Sequence, residues 1–141
     1  MTNNPSRREI NRQRRSLTEQ QRRISGSLAS RYLPKLTPRL PKGAKVAIYL
    51  DDFGELPTQP LLKWCQRMGY KAYMPLINTL GKNNKHIRFA PIEHTKLINI
   101  PTVRHPFGMK ETKHRHLLKA DELDLIICPL VAADEQGNRM G

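Results

Sequence analysis

The sequence predicts an α/β fold, with three α/β/α layers around a mostly parallel sheet and a basic helical segment in front of it. Two strand-like segments, 45–50 and 70–76, enclose a helical pattern and so form a βαβ unit. A nearly continuous apolar stretch at 123–131 is typical of a central parallel strand. Both patterns require a sheet whose two faces are covered.

The length of 141 residues suits one domain rather than two independent cores. We therefore treat 1–141 as a single α/β domain, in which 1–33 is the basic helical segment and 44–141 contains the sheet. The longest apolar run, 125–133, is too short to span a membrane, and the arginine-rich N-terminus does not resemble a secretory signal. We expect a monomeric, cytoplasmic protein with no membrane partner and with reduced cysteines.

Two short motifs predict where helices begin in the basic segment. Ser6 with Glu9, and then Thr18 with Gln21, have the spacing of a capping box, so we expect helix starts near residues 6 and 18. The apolar residues recur at intervals of seven or four and form one narrow stripe among arginines: Ile10, Leu17, Ile24 and Leu28. This pattern predicts a basic amphipathic hairpin or bent helix, which ends at a proline-marked linker.

The elements after the linker follow from local patterns. Pro57 and Pro60 fit the first turn of a helix, and Gly69 stands where that helix would end. The side chains expected on its buried face are Leu61, Leu62, Trp64, Cys65 and Met68. The segment 87–92 predicts one further strand, which we place at an edge of the sheet because Pro91 lacks an N–H group.

Three segments lie where open parallel sheets bind ligands, beyond the carboxyl ends of the strands. They are 51–57, the residues that follow Met74 and Pro75, and 132–141. The third combines turn-forming residues with glycines and an arginine: Asp134, Gly137, Asn138, Arg139 and Gly141. Because glycines let a ligand approach backbone amides closely, this composition indicates half of an anion-binding site.

The formal net charge is +13, and the first 45 residues hold 12 basic and only 2 acidic side chains. Such a block attracts polyanions, either a nucleic acid or the phosphates of a small ligand. Aromatic residues are only 6% of the chain, and Trp64, Tyr70 and Tyr73 belong to the predicted core rather than to the arginine-rich segment. We therefore place a nucleic-acid-binding module second and expect small-molecule substrates. His114 and His116 lack further ligands at metal-binding spacing, so we assign no metal-ligating residues.

Three motifs, taken in chain order, resemble the 5-formyltetrahydrofolate cyclo-ligases, also called methenyltetrahydrofolate synthetases. They are RREINRQRRSLT at 7–18, GELPT at 54–58, and DEQGNRMG at 134–141 after an LDLIICPLVAA strand. The resemblance covers nearly the whole chain. It implies ATP-dependent closure of 5-formyltetrahydrofolate to 5,10-methenyltetrahydrofolate with release of ADP and phosphate, with reduced folate and ATP as substrates and Mg²⁺ as cofactor.

The family's glycine-rich segment continues beyond the position of Gly141, and its magnesium ligand lies there. The resemblance therefore implies that these 141 residues are an N-terminal portion, which we expect to bind ATP weakly and not to complete the reaction. An inactive remnant of the family is the further alternative. Formation of the methenyl product by these residues alone would contradict this expectation.

The resemblance also assigns site residues. For ATP it implies Arg7, Arg8, Asn11, Gly137, Asn138, Arg139 and Gly141, with Arg139 as the catalytic residue. For the substrate it implies Glu55, Met74, Pro75, Phe89 and Met140, with Glu55 bonding the amide and amino edge of the pterin. Pro57, His105 and Asn3 depart from the family pattern, which tends to have Asp or Glu, Glu and Lys there. We expect Arg7 and Arg139 to meet above the sheet and hold a triphosphate.

Overall fold

The computed structural model describes residues 5–49, 55–76, 86–93 and 117–141. Several predictions concern residues outside these ranges, namely the turn within 50–54, the segment after Leu76, and the positions of Asn3, His105, His114 and His116. The description that follows applies to the four described ranges alone.

Two capped helices open the described chain, as the sequence predicts. Helix α1 spans Arg7–Ser16, and helix α2 spans Glu19–Ser30. The Ser6 amide donates to the Glu9 carboxylate at 2.7 Å, and the Glu9 amide donates to the Ser6 hydroxyl at 3.3 Å. The same reciprocal pair joins Thr18 and Gln21. Both capping boxes are confirmed, because each satisfies amides that a helix start leaves free.

The apolar stripe of these helices is largely solvent-exposed. Leu17, Ile24 and Leu28 are 42%, 53% and 49% exposed, and helix α1 contributes no buried residue. The buried residue of helix α2 is Gly26. Helix α2 is therefore packed against the domain at Gly26, while its apolar stripe stays largely exposed. Two short 3-10 turns, Leu33–Lys35 and Thr37–Arg39, follow as the proline-marked linker.

The described sheet has four strands in the order β3-β2-β1-β4. Strand β1 (Lys45–Ala47) pairs in parallel with β2 (Lys71–Leu76) and with β4 (Leu125–Ile126). Strand β3 (Arg88–Pro91) is antiparallel to β2 and lies at the edge, where Pro91 was expected. The α/β class and the mostly parallel sheet are confirmed.

Strand β4 corrects one prediction. The stretch 123–131 is not one continuous strand, because within the described residues only Leu125 and Ile126 belong to β4, which lies at one end of the described sheet. The Ile127 amide still donates to the Ala47 carbonyl, but Pro129 has no N–H to continue the ladder. The apolar residues after β4 consequently remain available to line a cavity.

Helix α3 (Gln59–Met68) covers one face of the sheet. It buries Leu62, Trp64 and Cys65 and ends at Gly69, whose φ of +74° is left-handed as expected. Two details differ from the prediction. Met68 is 42% exposed, and Pro57 precedes the N-cap Thr58 instead of entering the first turn.

The core is divided by the sheet because side chains alternate along each strand. On the side of α3, one cluster contains Leu33, Ala44, Val46, Ile48, Leu62, Trp64, Cys65 and Ala72. On the other side, Ala47, Tyr73 and Phe89 pack against Ile87, Leu118 and Leu123. None of the helices in the described ranges is long and apolar enough to cross a membrane.

Candidate active site

A cavity of about 320 Å³ lies beyond the carboxyl ends of β1 and β4. Its walls come from segment 55–57, segment 127–130 and the facing side of helix α2. The lining residues from α2 are small: Gly26, Ala29 and Ser30. Tyr49, Pro60 and Leu61 complete the lining. The cavity therefore occupies the place where an open α/β sheet binds its ligand.

Segment 55–57 is held in position by three contacts from other parts of the chain. The Arg22 guanidinium donates to the Glu55 carbonyl at 3.3 Å, and the Tyr49 hydroxyl donates to the Leu56 carbonyl at 3.0 Å. Gly26 lies against Pro57, whose Cδ would be 3.1 Å from a Cβ built on the glycine. The backbone that carries the Glu55 side chain is thus fixed from α2 and from the end of β1.

Among the described residues that line this cavity, Glu55 is the one carboxylate, and it is half-buried. Most of its companions are apolar, including Leu56, Leu130 and Pro129. Apolar walls with a few fixed polar groups are typical of small-molecule sites. A carboxylate in such walls can accept two parallel N–H donors from a flat ring.

The segment predicted to bind an anion is a β-hairpin, formed by β5 (Ala132–Ala133) and β6 (Arg139–Met140). One carboxylate oxygen of Asp134 accepts from the amides of Gln136 and Asn138 at 2.9 and 2.8 Å. The other accepts from the Asn138 side chain at 2.8 Å. These bonds, above all those from Asn138, lower the pKa of Asp134 below its ordinary value. Asp134 therefore already occupies amides that a bound anion would use.

Two glycines of the hairpin have backbone conformations that favour glycine. Gly137 and Gly141 have φ values of +87° and +90°. A Cβ on Gly141 would approach Val131 Cγ2 to 2.5 Å. The Arg139 guanidinium donates to the Gly141 carbonyl through Nε at 3.2 Å and Nη2 at 2.6 Å. Arg139 thus points along the chain and does not line the cavity.

Helix α1 brings its predicted phosphate-binding residues together on one face. They line an open depression of about 590 Å³ together with two further arginines: Arg7, Arg8, Asn11, Arg12 and Arg15. The Asn11 side-chain oxygen accepts from Arg14 Nη1 at 3.3 Å. Arg12 and Arg15 are additions to the predicted set, and their positions four residues after Arg8 and Asn11 were the signal for them.

The remaining predicted substrate residues lie away from the cavity lining. Met74 and Phe89 are buried in β2 and β3, and Pro75 is the register partner of Phe89. Met140 is half-buried in β6, and its carbonyl accepts from the Val131 amide at 2.8 Å. Met74 and Phe89 belong to core clusters and Pro75 and Met140 to paired strands, and the assignment of all four to substrate stays a prediction.

Among the described residues, the depression on α1 and the cavity have no lining residue in common, and Arg139 lines neither of them. The described residues therefore include no contact between Arg7 and Arg139, and the expected meeting of these two arginines is not observed. Within the described ranges, His, Cys, Asp and Glu form no group of three or more that could hold a metal ion.

Sequence reasoning missed the residues that build the cavity around Glu55. Tyr49, Arg22 and Gly26 act on segment 55–57 from distant positions, and Cys128 and Leu130 line the opposite wall. Pro129 interrupts the apolar stretch, and this interruption could have indicated that the residues around it line a cavity instead of continuing the strand.

Comparison with known proteins places these features in a family. The model of the 5-formyltetrahydrofolate cyclo-ligase family matches residues 2–141. The 5-formyltetrahydrofolate cyclo-ligase of Escherichia coli is 31% identical over 133 residues, which cover 94% of this chain and 70% of that protein. The enzyme of the same name from Haemophilus influenzae is 30% identical over 137 residues, with 94% and 68% covered.

Two solved structures share the fold. The 5,10-methenyltetrahydrofolate synthetase of Mycoplasma pneumoniae superimposes with a TM-score of 0.63 at 17% identity, covering 96% of this chain and 68% of that one. The 5,10-methenyltetrahydrofolate synthetase of Aquifex aeolicus gives a TM-score of 0.65 at 21% identity, with 96% and 64% covered. The chain belongs to the 5-formyltetrahydrofolate cyclo-ligase family.

Proposed function

We propose that this chain acts in the ATP-dependent cyclisation of 5-formyltetrahydrofolate to 5,10-methenyltetrahydrofolate, with release of ADP and phosphate. We propose further that the reduced folate binds in the cavity beside Glu55. Family membership supports the reaction, and one structural observation supports the site. That observation is the Glu55 carboxylate, the one carboxylate of the described lining, on a backbone held by Arg22 at the edge of an apolar cavity beyond the strand ends.

The pterin ring system fits the chemistry of this cavity. Its amide and amino N–H groups form a flat pair of donors, which a carboxylate accepts in parallel. The rest of the ring is flat and would lie between Leu56 and Leu130. The volume of about 320 Å³ is at the lower end of the roughly 300–1000 Å³ found for small-molecule sites, which suits one bicyclic ring better than a whole folate. The remainder of the substrate would extend out of the cavity.

The proposed reaction needs charge neutralisation more than it needs a nucleophile on the protein. A formamide oxygen is a poor leaving group, so ATP phosphorylates it. The neighbouring amine nitrogen, which links the pterin to the benzoyl part of the substrate, then attacks the activated carbon and loses its proton, and phosphate leaves. Such phosphoryl transfer depends on positioned positive groups. Arginine side chains supply them, and the thiol of Cys128, although it lines the cavity, has no step to perform.

For the nucleotide we propose the two predicted groups, Arg7, Arg8 and Asn11 on α1 and Gly137, Asn138, Arg139 and Gly141 in the hairpin. The three α1 residues already line one open depression. Arg139 would exchange its bond to the Gly141 carbonyl for a phosphate oxygen, which forms the stronger charge-assisted bond. Either group would bind phosphate without moving the helix or the hairpin as a whole.

We propose that Mg²⁺ binds together with ATP and is not coordinated by side chains of the described residues. Those residues form no acidic or histidine cluster, and the Asp134 carboxylate is already an acceptor for three hydrogen bonds. The described donor set thus does not fit a protein-held magnesium ion. Magnesium that enters with a nucleotide keeps phosphate oxygens and waters as its ligands.

The experiment that tests the proposal is a calorimetric titration of 5-formyltetrahydrofolate into the protein and into Glu55→Gln. The amide keeps the shape of the carboxylate but removes its charge and one acceptor, so we expect the affinity to fall about tenfold or more. Arg23→Gln is the matched control, since Arg23 is exposed and bonds Glu19 on the same helix. Equal affinity of the wild type and Glu55→Gln would contradict the proposal.

Nucleic-acid binding is the second candidate function, and the open arginine-lined depression on α1 favours it. The discriminating measurement is filter binding of a single-stranded RNA at several salt concentrations, with and without ATP. RNA binding with a steep salt dependence and no competition by ATP would support this second function. If ATP displaces RNA when only a small fraction of the protein has RNA bound, the result would support the assignment of the depression on α1 to the nucleotide.

A further inference from the structure

Arg22 makes a long-range contact that the proposed reaction does not use. It belongs to α2, and its guanidinium donates to the backbone carbonyl of Glu55, which lies 33 positions further along the chain. Its Nε is buried, and the residue as a whole is half-buried. Arg22 does not line the cavity. A charged side chain that leaves solvent to bond one backbone carbonyl fixes that carbonyl more firmly than a neutral donor does.

Gly26 adds a second contact from the same face of α2. Residues four positions apart lie one above the other on a helix, so Arg22 and Gly26 face the same segment. Gly26 approaches Pro57 so closely that the Cδ of the proline ring would be 3.1 Å from an added Cβ. One turn of α2 therefore fixes both ends of segment 55–57.

The Glu55 side chain takes its direction from this backbone. The carbonyl carbon of Glu55 is bonded to the Cα that carries the side chain, so a displacement of this backbone would also displace the carboxylate. Arg22 opposes that displacement from one side, and the Tyr49 hydroxyl, on the next carbonyl, opposes it from the end of β1. A site of this kind loses affinity when its supporting contacts are loosened.

We propose that Arg22 is a positioning residue for folate binding, which acts by holding the Glu55 backbone and never touches the ligand. This inference rests on the proposed function, because it assigns the Glu55 carboxylate to the pterin. It makes α2 a determinant of folate affinity, although no residue of α2 bears a group that reacts.

The first test needs no ligand. Hydrogen exchange of the Thr58 amide, which belongs to a fully buried residue next to segment 55–57, is compared in the wild type, Arg22→Gln, Arg22→Lys and Arg23→Gln. We expect exchange at this amide to be about fivefold or more faster in Arg22→Gln and intermediate in Arg22→Lys. Arg23→Gln should exchange like the wild type, because Arg23 is bonded only along its own helix to Glu19. Unchanged exchange in Arg22→Gln would overturn the inference.

The second test measures the affinities for 5-formyltetrahydrofolate and for ATP separately. We expect Arg22→Gln to weaken folate binding about tenfold and to change ATP binding less than about twofold, with partial recovery in Arg22→Lys. A parallel loss of both affinities together with a lower Tm would overturn the inference, because it would show a general structural role.

The two tests separate this inference from the function on which it rests. If the wild type binds no folate, the proposed function is contradicted, and the exchange data alone decide whether Arg22 holds segment 55–57. If the wild type binds folate and Arg22→Gln binds it equally well, the proposed function stands and the role of Arg22 is refuted.

Discussion

Gly26 and Pro57 are in contact across the wall of the cavity, with 3.1 Å left between the Cδ of the proline ring and the place a Cβ would take on the glycine. A chain segment packed this closely tolerates little added volume. The contact joins α2 to the segment that carries Glu55. The size of the side chain at position 26 therefore affects the shape of the cavity wall.

Gly26→Val should destabilise the protein by about 1–3 kcal/mol relative to Ser27→Val. Both substitutions place the same β-branched residue in α2, but Ser27 is exposed, so the difference isolates the contact with Pro57. Urea unfolding of the two variants measures the free energy of unfolding. Equal free energies of unfolding for the two variants would show that Pro57 can move aside without loss of stability. The contact with Gly26 would then not determine the position of the cavity wall.

The two cysteines should react very differently with a thiol reagent. Burial raises the pKa of Cys65 to about 11, whereas Cys128 is exposed and lines the cavity. At about pH 8 we therefore expect one thiol of the native protein to react rapidly with the reagent, because only a thiolate attacks it. Cys128→Ser should abolish that rapid reaction.

The same thiol reports on occupancy of the cavity. Bound 5-formyltetrahydrofolate should slow modification of Cys128 in proportion to saturation, while ATP alone should not. Rapid modification of Cys65 would contradict its burial. If saturating folate leaves the rate of Cys128 modification unchanged, the placement of the ligand is contradicted.

The hairpin should loosen in acid. Because the folded state lowers the pKa of Asp134 below its ordinary value of 3.8, its stabilising effect is complete above that value and is lost as the pH falls through the folded pKa. We expect the protection factors of the Gln136 and Asn138 amides, measured against the intrinsic exchange rate at each pH, to fall in this acid range in the wild type. In Asp134→Asn they should be low at every pH, so a parallel acid response in that variant would contradict the assignment.

Charge on α1 should govern nucleotide affinity. Replacing Arg7 and Arg8 together by glutamine removes two guanidinium groups from the depression, and we expect ATP affinity to fall about tenfold or more, while folate affinity stays unchanged. Fluorescence titration with a labelled ATP analogue measures the effect. Arg23→Gln again serves as the control, and an equal loss in that variant would point to net charge alone.

Local sequence patterns predicted the local structure of this chain well. The capping boxes of Ser6 and Thr18 and the left-handed cap at Gly69 depend on a few neighbouring residues, and all three are confirmed. The edge position of Pro91 followed from its missing donor. The position of segment 51–57 beyond the first strand was likewise predicted, and Glu55 lines the cavity there, while its role toward substrate stays a prediction.

Long-range contacts could not be predicted in this way. Nothing in the spacing of α2 indicated that Arg22 would reach Glu55. The glycines and amides near residue 137 suggested a free anion site, but Asp134 uses part of that donor set internally. Such competition between an internal carboxylate and a ligand depends on three-dimensional geometry and not on composition.

A crystal structure of the protein with 5-formyltetrahydrofolate tests the central claim most directly. We predict pterin amide and amino nitrogens about 3 Å from the Glu55 carboxylate, with the ring between α2 and segment 128–130. A folate bound away from this cavity, with Glu55 making no contact to it, would contradict the account.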